Sequence, residues 1–310
     1  MGYKDSVYGE SSLYAFFKTA FVPALRPAFI KCVSSIVFNF FLRQWHLAFL
    51  GRLGRGVPVS DVDHPLDGKI PFAPSWVAVY MDFSNFWIRM AAFFLRRFGR
   101  LAHAPVADFL LSTGRLYAFA ARTYRRNLST TARPFYIARP RFFLIHLLDP
   151  HLMCIPSLHI MVAINSYASF AAIARALGQE ENLARQIIEV RQGAMSISRS
   201  ILFVKQHSVN CIAASLYAMH CFDPALFPEG EAEAFLAELF APPPPPDKNL
   251  TIPADCKTHP SVSPDTELAS DVQAEITGHI LSLYRRFLAQ RPAAGPWEEP
   301  LVSFMKPLRR

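Results

Sequence analysis

The sequence predicts an all-α fold: a polytopic membrane helical bundle of about six spans with a cytoplasmic C-terminal tail. Composition is the first observation, since 52% of the 310 residues are hydrophobic, 13% aromatic with 27 Phe, and 18% charged. That balance is richer in bulky apolar side chains than an ordinary soluble domain. Second, residues 152–174 contain no Asp, Glu, Lys or Arg, and this length matches a hydrocarbon core ~30 Å thick. Third, five further apolar segments of roughly span length flank it.

Residues 1–27 form an N-terminal segment with acidic Asp5 and Glu10, and with Lys18 among its apolar residues. It lacks the basic, apolar, small-residue order of a cleaved signal, so targeting is expected from the first span. The membrane domain is expected over residues 28–223, with spans at 28–42, 72–95, 104–121, 152–174, 186–204 and 208–222. Lys31, Asp82, Arg89, Asp108, Arg115, Glu189, Arg191 and Arg199 interrupt four of these. A charge at mid-span costs ~2.5–3.5 kcal/mol, so these side chains should face protein or water, with Asp82 and Asp108 pairing with Arg89 or Arg115. The alternative for the charged segments is buried helices of a bundle, or half-inserted helices.

An inside N-terminus places the basic link 96–100 on the cytoplasmic side, as the positive-inside rule prefers. The same topology puts Arg122, Arg125, Arg126, Arg133, Arg139 and Arg141 outside against Asp149. That reverses the rule, and a functional need for positive charge explains it. Residues 224–266 read as an acidic and Pro-rich linker, including the run 242–246. Residues 267–310 read as an amphipathic helix with a basic tail, because Leu268, Val272, Ile276, Ile280, Leu283 and Phe287 recur at helical spacing. The helix either packs on the membrane domain or lies on the lipid surface.

The formal charge of +8 suits anionic partners such as phosphate or lipid headgroups. Five Cys, at 32, 154, 211, 221 and 256, show no CxxC spacing, which indicates neither zinc nor a complete disulfide framework. His46, His64, His103, His146 and His151 have no metal-site spacing and read as solvated or interfacial.

Three polar groups converge on one membrane face. Arg126 and Arg133-Pro134 precede the fourth span; Pro156-Ser157-Leu158-His159 opens it; Ser200 and His207 close the fifth. The chain enters near His159, crosses, turns, and returns near His207, so both imidazoles should sit at one depth. Guanidinium groups and hydroxyls can hold phosphate oxygens, one imidazole can act as nucleophile or base, and the other can act as acid.

These residues resemble the type 2 phosphatidic acid phosphatase and vanadium haloperoxidase superfamily, whose signature is Lys-x6-Arg-Pro, Pro-Ser-Gly-His and Ser-Arg-x5-His-x3-Asp. Arg126-x6-Arg133-Pro134 is similar to the first motif, with Arg for Lys. Pro156-Ser157-Leu158-His159 is similar to the second, with Leu for Gly, and Ser200-x6-His207 to the third. Cys-Ile-Pro-Ser-Leu-His resembles the branch containing sphingolipid synthases, and residues 70–80 resemble the start of the second span in related phosphatases. Ile201 stands at the position of a phosphate-binding Arg, and Cys211 at that of an Asp that orients the nucleophilic His.

The resemblance implies that His207 attacks phosphorus, His159 protonates the leaving oxygen, and Arg126, Arg133, Ser157 and Ser200 hold the phosphate. It implies a lipid phosphate phosphatase if water is the acceptor, or a headgroup phosphotransferase if a lipid hydroxyl is. The expected partners are a phospholipid or isoprenoid phosphate and the membrane, with no nucleic acid, cofactor or metal. The active-site face is expected to be extracytoplasmic. Because Ile201 and Cys211 depart from the pattern, the alternative is a catalytically impaired membrane protein that binds phospholipid or a partner.

Overall fold

A computed structural model describes residues 6–53, 55–240 and 268–306, and the chain is mostly helical. The proline run and Cys256 lie outside the described residues. Helix α1 (Ser12–Phe21) starts where the Ser11 side chain accepts the Tyr14 N–H at 3.4 Å, satisfying a donor that the helix itself leaves unpaired. Helix α2 (Arg26–Ile36) has a proline in its first turn, where the missing N–H is harmless. It continues through a π-helical stretch (Val37–Leu42) into α3 (Arg43–Arg52).

The core is built around α8 (Leu158–Ala176), which packs against α5 (Phe83–Phe98), α6 (His103–Tyr124), α9 (Ala184–Phe203) and α10 (Val209–Phe222). Ile160, Met161, Val162, Ile164 and Phe170 of α8 are completely buried. Each such side chain contributes roughly 1.5–3 kcal/mol on removal from water. The uncharged run at 152–174 is enclosed by four neighbouring helices, and its first six residues form a loop. Gly178, with φ +64°, ends the helical hairpin's first arm: the Gln179 N–H turns back to the Ala174 carbonyl at 2.8 Å, a conformation glycine reaches without steric cost. Gly114 lets α2 and α6 touch, since a β-carbon there would meet the Cys32 Cα at 3.0 Å.

Residues 72–95 divide rather than forming one span. Prolines 71 and 74 precede a short α4 (Val77–Met81), and Asp82 separates it from α5 while pairing with Arg89 about two turns along α5. Both partners are largely buried, as the expectation for intrusive charges required.

Two three-residue strands, β1 (Val59–Asp61) and β2 (Leu128–Thr130), pair in parallel with Ser60 opposite Ser129. Ser129 also bridges to Met153, and its hydroxyl accepts the Ile155 N–H at 2.7 Å. This small sheet joins the segment after α6 to the loop before α8. Helix α7 (Pro140–Leu148) lies between them in sequence.

In the region read as linker, Glu229–Leu239 forms α11, with Phe235 and Leu236 buried. Glu231 and Glu238 of this helix both pair with Arg191 of α9. Helix α12 (Ser270–Ala289) packs against α10 and buries Ile276, Ile280, Leu283 and Phe287. Of the two placements open to the amphipathic segment, the structure has the packed one. Helix α13 (Glu299–Met305) follows, preceded by Trp297 stacked 4.0 Å from Phe119.

Among the described residues no single helix is long and apolar enough to cross a membrane; α1 with residues 26–51, bent by 115°, passes as a pair by length and composition. The α2–α3 helix carries Phe38, Phe41, Leu42, Trp45 and Phe49 exposed on one side. Phe143, Leu144 and Leu147 of α7 are exposed as well.

Candidate functional site

His159 occupies the first turn of α8, and His207 lies between the end of α9 and the Ser208 cap of α10. Because α8 and α9 are packed antiparallel arms, these positions meet at one end of the core. The two rings approach edge-on with centroids 5.5 Å apart. His159 is sandwiched by Tyr80 at 4.3 Å and Phe83 at 4.1 Å.

A small pocket opens at the pair, walled by Phe40, Gln44, Asp149, His151, Leu158 and both histidines. Ser157 Oγ lies 3.5 Å from His207 Nε2. Arg133 donates to the Gln206 side-chain oxygen and to the Asp149 carbonyl, both at 3.1 Å, which ties its guanidinium to the residue before His207 and to the loop before α8. Of the six residues expected at a phosphate site, His159 and His207 line the pocket and Ser157 touches His207, while Arg133 adjoins the site through Gln206 and the Asp149 carbonyl.

The other two are engaged elsewhere. Arg126 forms an ion pair with Glu299 of α13 at 2.6 Å, and buried Ser200 donates to the Ile197 carbonyl at 2.6 Å. Neither lines the pocket. The charges near Ile201 are also committed: Lys205 donates to the Asp67 carbonyl, and Arg199 lies over the Trp76 ring at 6.0 Å. Asn210 donates its amide N–H to the Val62 carbonyl, and its amide oxygen accepts from His279 Nε2 at 2.8 Å.

His151, expected to be solvated or interfacial, is instead buried on the pocket wall, its ring centroid 6.2 Å from that of His207. Its Nε2 pairs with the Thr131 hydroxyl at 2.9 Å, and its main-chain N–H donates to Asp149 Oδ1 at 2.9 Å. The Gln44 amide donates to the same oxygen. The correction has a physical origin: the chain adopts φ +57° at His151, which turns the ring inward, and single-residue backbone reversals of this kind leave no periodic signal. The available hint was Asp149-Pro150-His151, an acid and an imidazole just upstream of Cys-Ile-Pro-Ser-Leu-His.

Burial pushes the affinity of His207 for a proton well below that of an ordinary imidazole, and the nearby His159 and His151 push it the same way, while Asp149 opposes them. Burial also disfavours ionised Asp149, but His151 and Arg133 outweigh it and hold the carboxyl well below the usual range. His207 Nδ1 is buried without a hydrogen-bond partner among the described residues. A neutral ring with a free lone pair is the nucleophilic form of histidine. Among the described residues no group of three or more His, Cys, Asp or Glu could hold a metal ion. No family model, curated protein or solved structure matches the chain.

Proposed function

We propose that this chain is a membrane-embedded lipid phosphate phosphatase or headgroup phosphotransferase that works through a phospho-histidine on His207. The observation that carries the reading is the edge-on pair of His159 and His207, with ring centroids 5.5 Å apart, and Arg133 bonded to Gln206, the residue before His207. A ring nitrogen of His207 attacks phosphorus; the P–N bond forms as the P–O ester bond breaks, and protonated His159 gives its proton to the departing alkoxide. Water or a lipid hydroxyl then attacks phosphorus, His159 takes its proton, and the P–N bond breaks. Arg133 and Ser157 hold the phosphoryl oxygens, because chemistry at phosphorus depends mainly on position and charge.

The exposed aromatic face of α2–α3 and the apolar surface of α7 support a membrane setting. Phe40 and Gln44 of that same helix line the pocket, so the apolar surface adjoins the polar site, as an amphiphilic phosphate requires. The site face is assigned to the extracytoplasmic side from an inside N-terminus and a cytoplasmic basic link at 96–100, against the arginines at 122–141, which run counter to the positive-inside rule.

One observation favours a second reading: His207 Nδ1 has no orienting partner, and a non-catalytic phospholipid-binding protein needs none. Purified protein in detergent decides between them. Release of phosphate from phosphatidic acid or an isoprenoid phosphate, or its transfer to a hydroxyl acceptor, supports the enzyme; binding of these lipids with neither release nor transfer supports the non-catalytic binder.

A further inference from the structure

The site must carry positive charge on an imidazole during turnover, and a buried cation needs a counter-charge or a strong hydrogen-bond acceptor. Cys211, one turn after His207, is a buried thiol and supplies no negative charge near neutral pH. One carboxylate, that of Asp149, lines the pocket among the described residues.

We infer that Asp149, rather than any group on α10, is the counter-charge for the His159 and His207 pair, acting as a positioning residue held by Gln44 and His151. This rests on the phosphoryl-transfer reading for its purpose, though not for its geometry. Oδ1 accepts the Gln44 amide and the His151 N–H, and Oδ2 lies 3.9 Å from His151 Nδ1. The Asp149 carbonyl accepts from Arg133, whose other nitrogen holds Gln206 next to His207. The far side of His151 is fixed by Thr131. The carboxylate is therefore contacted from α3 and from the loop before α8, while the segment after β2 holds the Asp149 carbonyl through Arg133 and the His151 ring through Thr131.

This arrangement assigns distinct work to each member. His151 adopts a backbone conformation that L residues rarely take, and doing so places its N–H on the carboxylate and its ring on the pocket wall. Gln44 satisfies the same oxygen, so the carboxylate is held without a direct hydrogen bond to either reacting imidazole. Its influence is through space and favours the protonated form of both. Arg133, bonded to the carbonyl of the same residue, couples the phosphate-binding cation to the anion that balances the imidazoles.

The test is a histidine NMR titration of the full chain in detergent, comparing wild type with Asp149→Asn and with Asp149→Ser, which retains an oxygen for the His151 N–H. In each folded variant the His159 and His207 midpoints should fall by about one pH unit, and kcat by about 100-fold or more, with KM changed by less than about 3-fold. Unchanged midpoints in either folded variant overturn the inference. Because the midpoints are read without turnover, an inactive wild type whose midpoints still depend on Asp149 would defeat the proposed enzyme while leaving the counter-charge assignment standing.

Discussion

Arg133 and Arg126 have opposite fates: one guanidinium is bonded to Gln206 beside His207, the other to Glu299 of the C-terminal helix. Both belong to the Arg-x6-Arg-Pro segment, so sequence spacing treats them alike. Their surroundings do not.

Arg133→Ala should therefore lower lipid phosphate turnover by about 10- to 150-fold, the worth of a charge-assisted hydrogen bond of ~1.5–3 kcal/mol. Arg126→Ala should leave turnover within about 3-fold, because its pair with Glu299 is partly exposed and such pairs contribute only ~0–1 kcal/mol. Steady-state phosphate release by the two variants checks this, and equal losses would contradict it.

Stability should fall on mild acidification. The folded chain holds His207 neutral to a lower pH than an unfolded imidazole, so below ~6.5 the unfolded state binds more protons and gains on the folded one. The contribution of Asp149 has the same sign: its depressed carboxyl stabilises the fold above ~3.9 and that stabilisation is lost as pH falls further. Thermal melts should show Tm declining below about pH 6.5, with a shallower decline in His207→Gln. An unaltered slope in that variant would contradict the assignment.

Membrane contact has a built-in reporter. Of the 4 Trp, Trp45 is exposed on the α2–α3 face, whereas Trp76, Trp87 and Trp297 are buried. In vesicles whose acyl chains carry bromine, tryptophan emission should be quenched, and Trp45→Phe should remove most of that quenching. Emission indifferent to brominated lipid would contradict a lipid-facing α2–α3 surface.

Much of the site was legible because its residues sit at motif spacings that survive folding. Pro156 to His159 and Ser200 to His207 lie at the facing ends of a helical hairpin, and helix direction alone brings such ends together. The all-α class was legible from the same segments. The surroundings of the uncharged run were not, because burial by protein and immersion in lipid select the same side chains: Ile160 and Phe170 are apolar under either regime, and the sequence does not name the four helices that enclose them. His151 and Gln44 were hidden for a different reason. Each reaches the pocket through tertiary contacts, one by a backbone reversal and the other from a helix remote in sequence. Arg126 was misleading because its partner, Glu299, lies in a tail helix that no motif links to it.

The most direct test of the central claim is rapid acid-free quenching of the protein during turnover of phosphatidic acid carrying labelled phosphorus, followed by mapping of the label. The account predicts an acid-labile phosphoryl group on His207 in wild type, more of it in His159→Ala when a good leaving group replaces the lipid alcohol, and none in His207→Ala. Turnover without label on His207, or label and turnover persisting in His207→Ala, would contradict it.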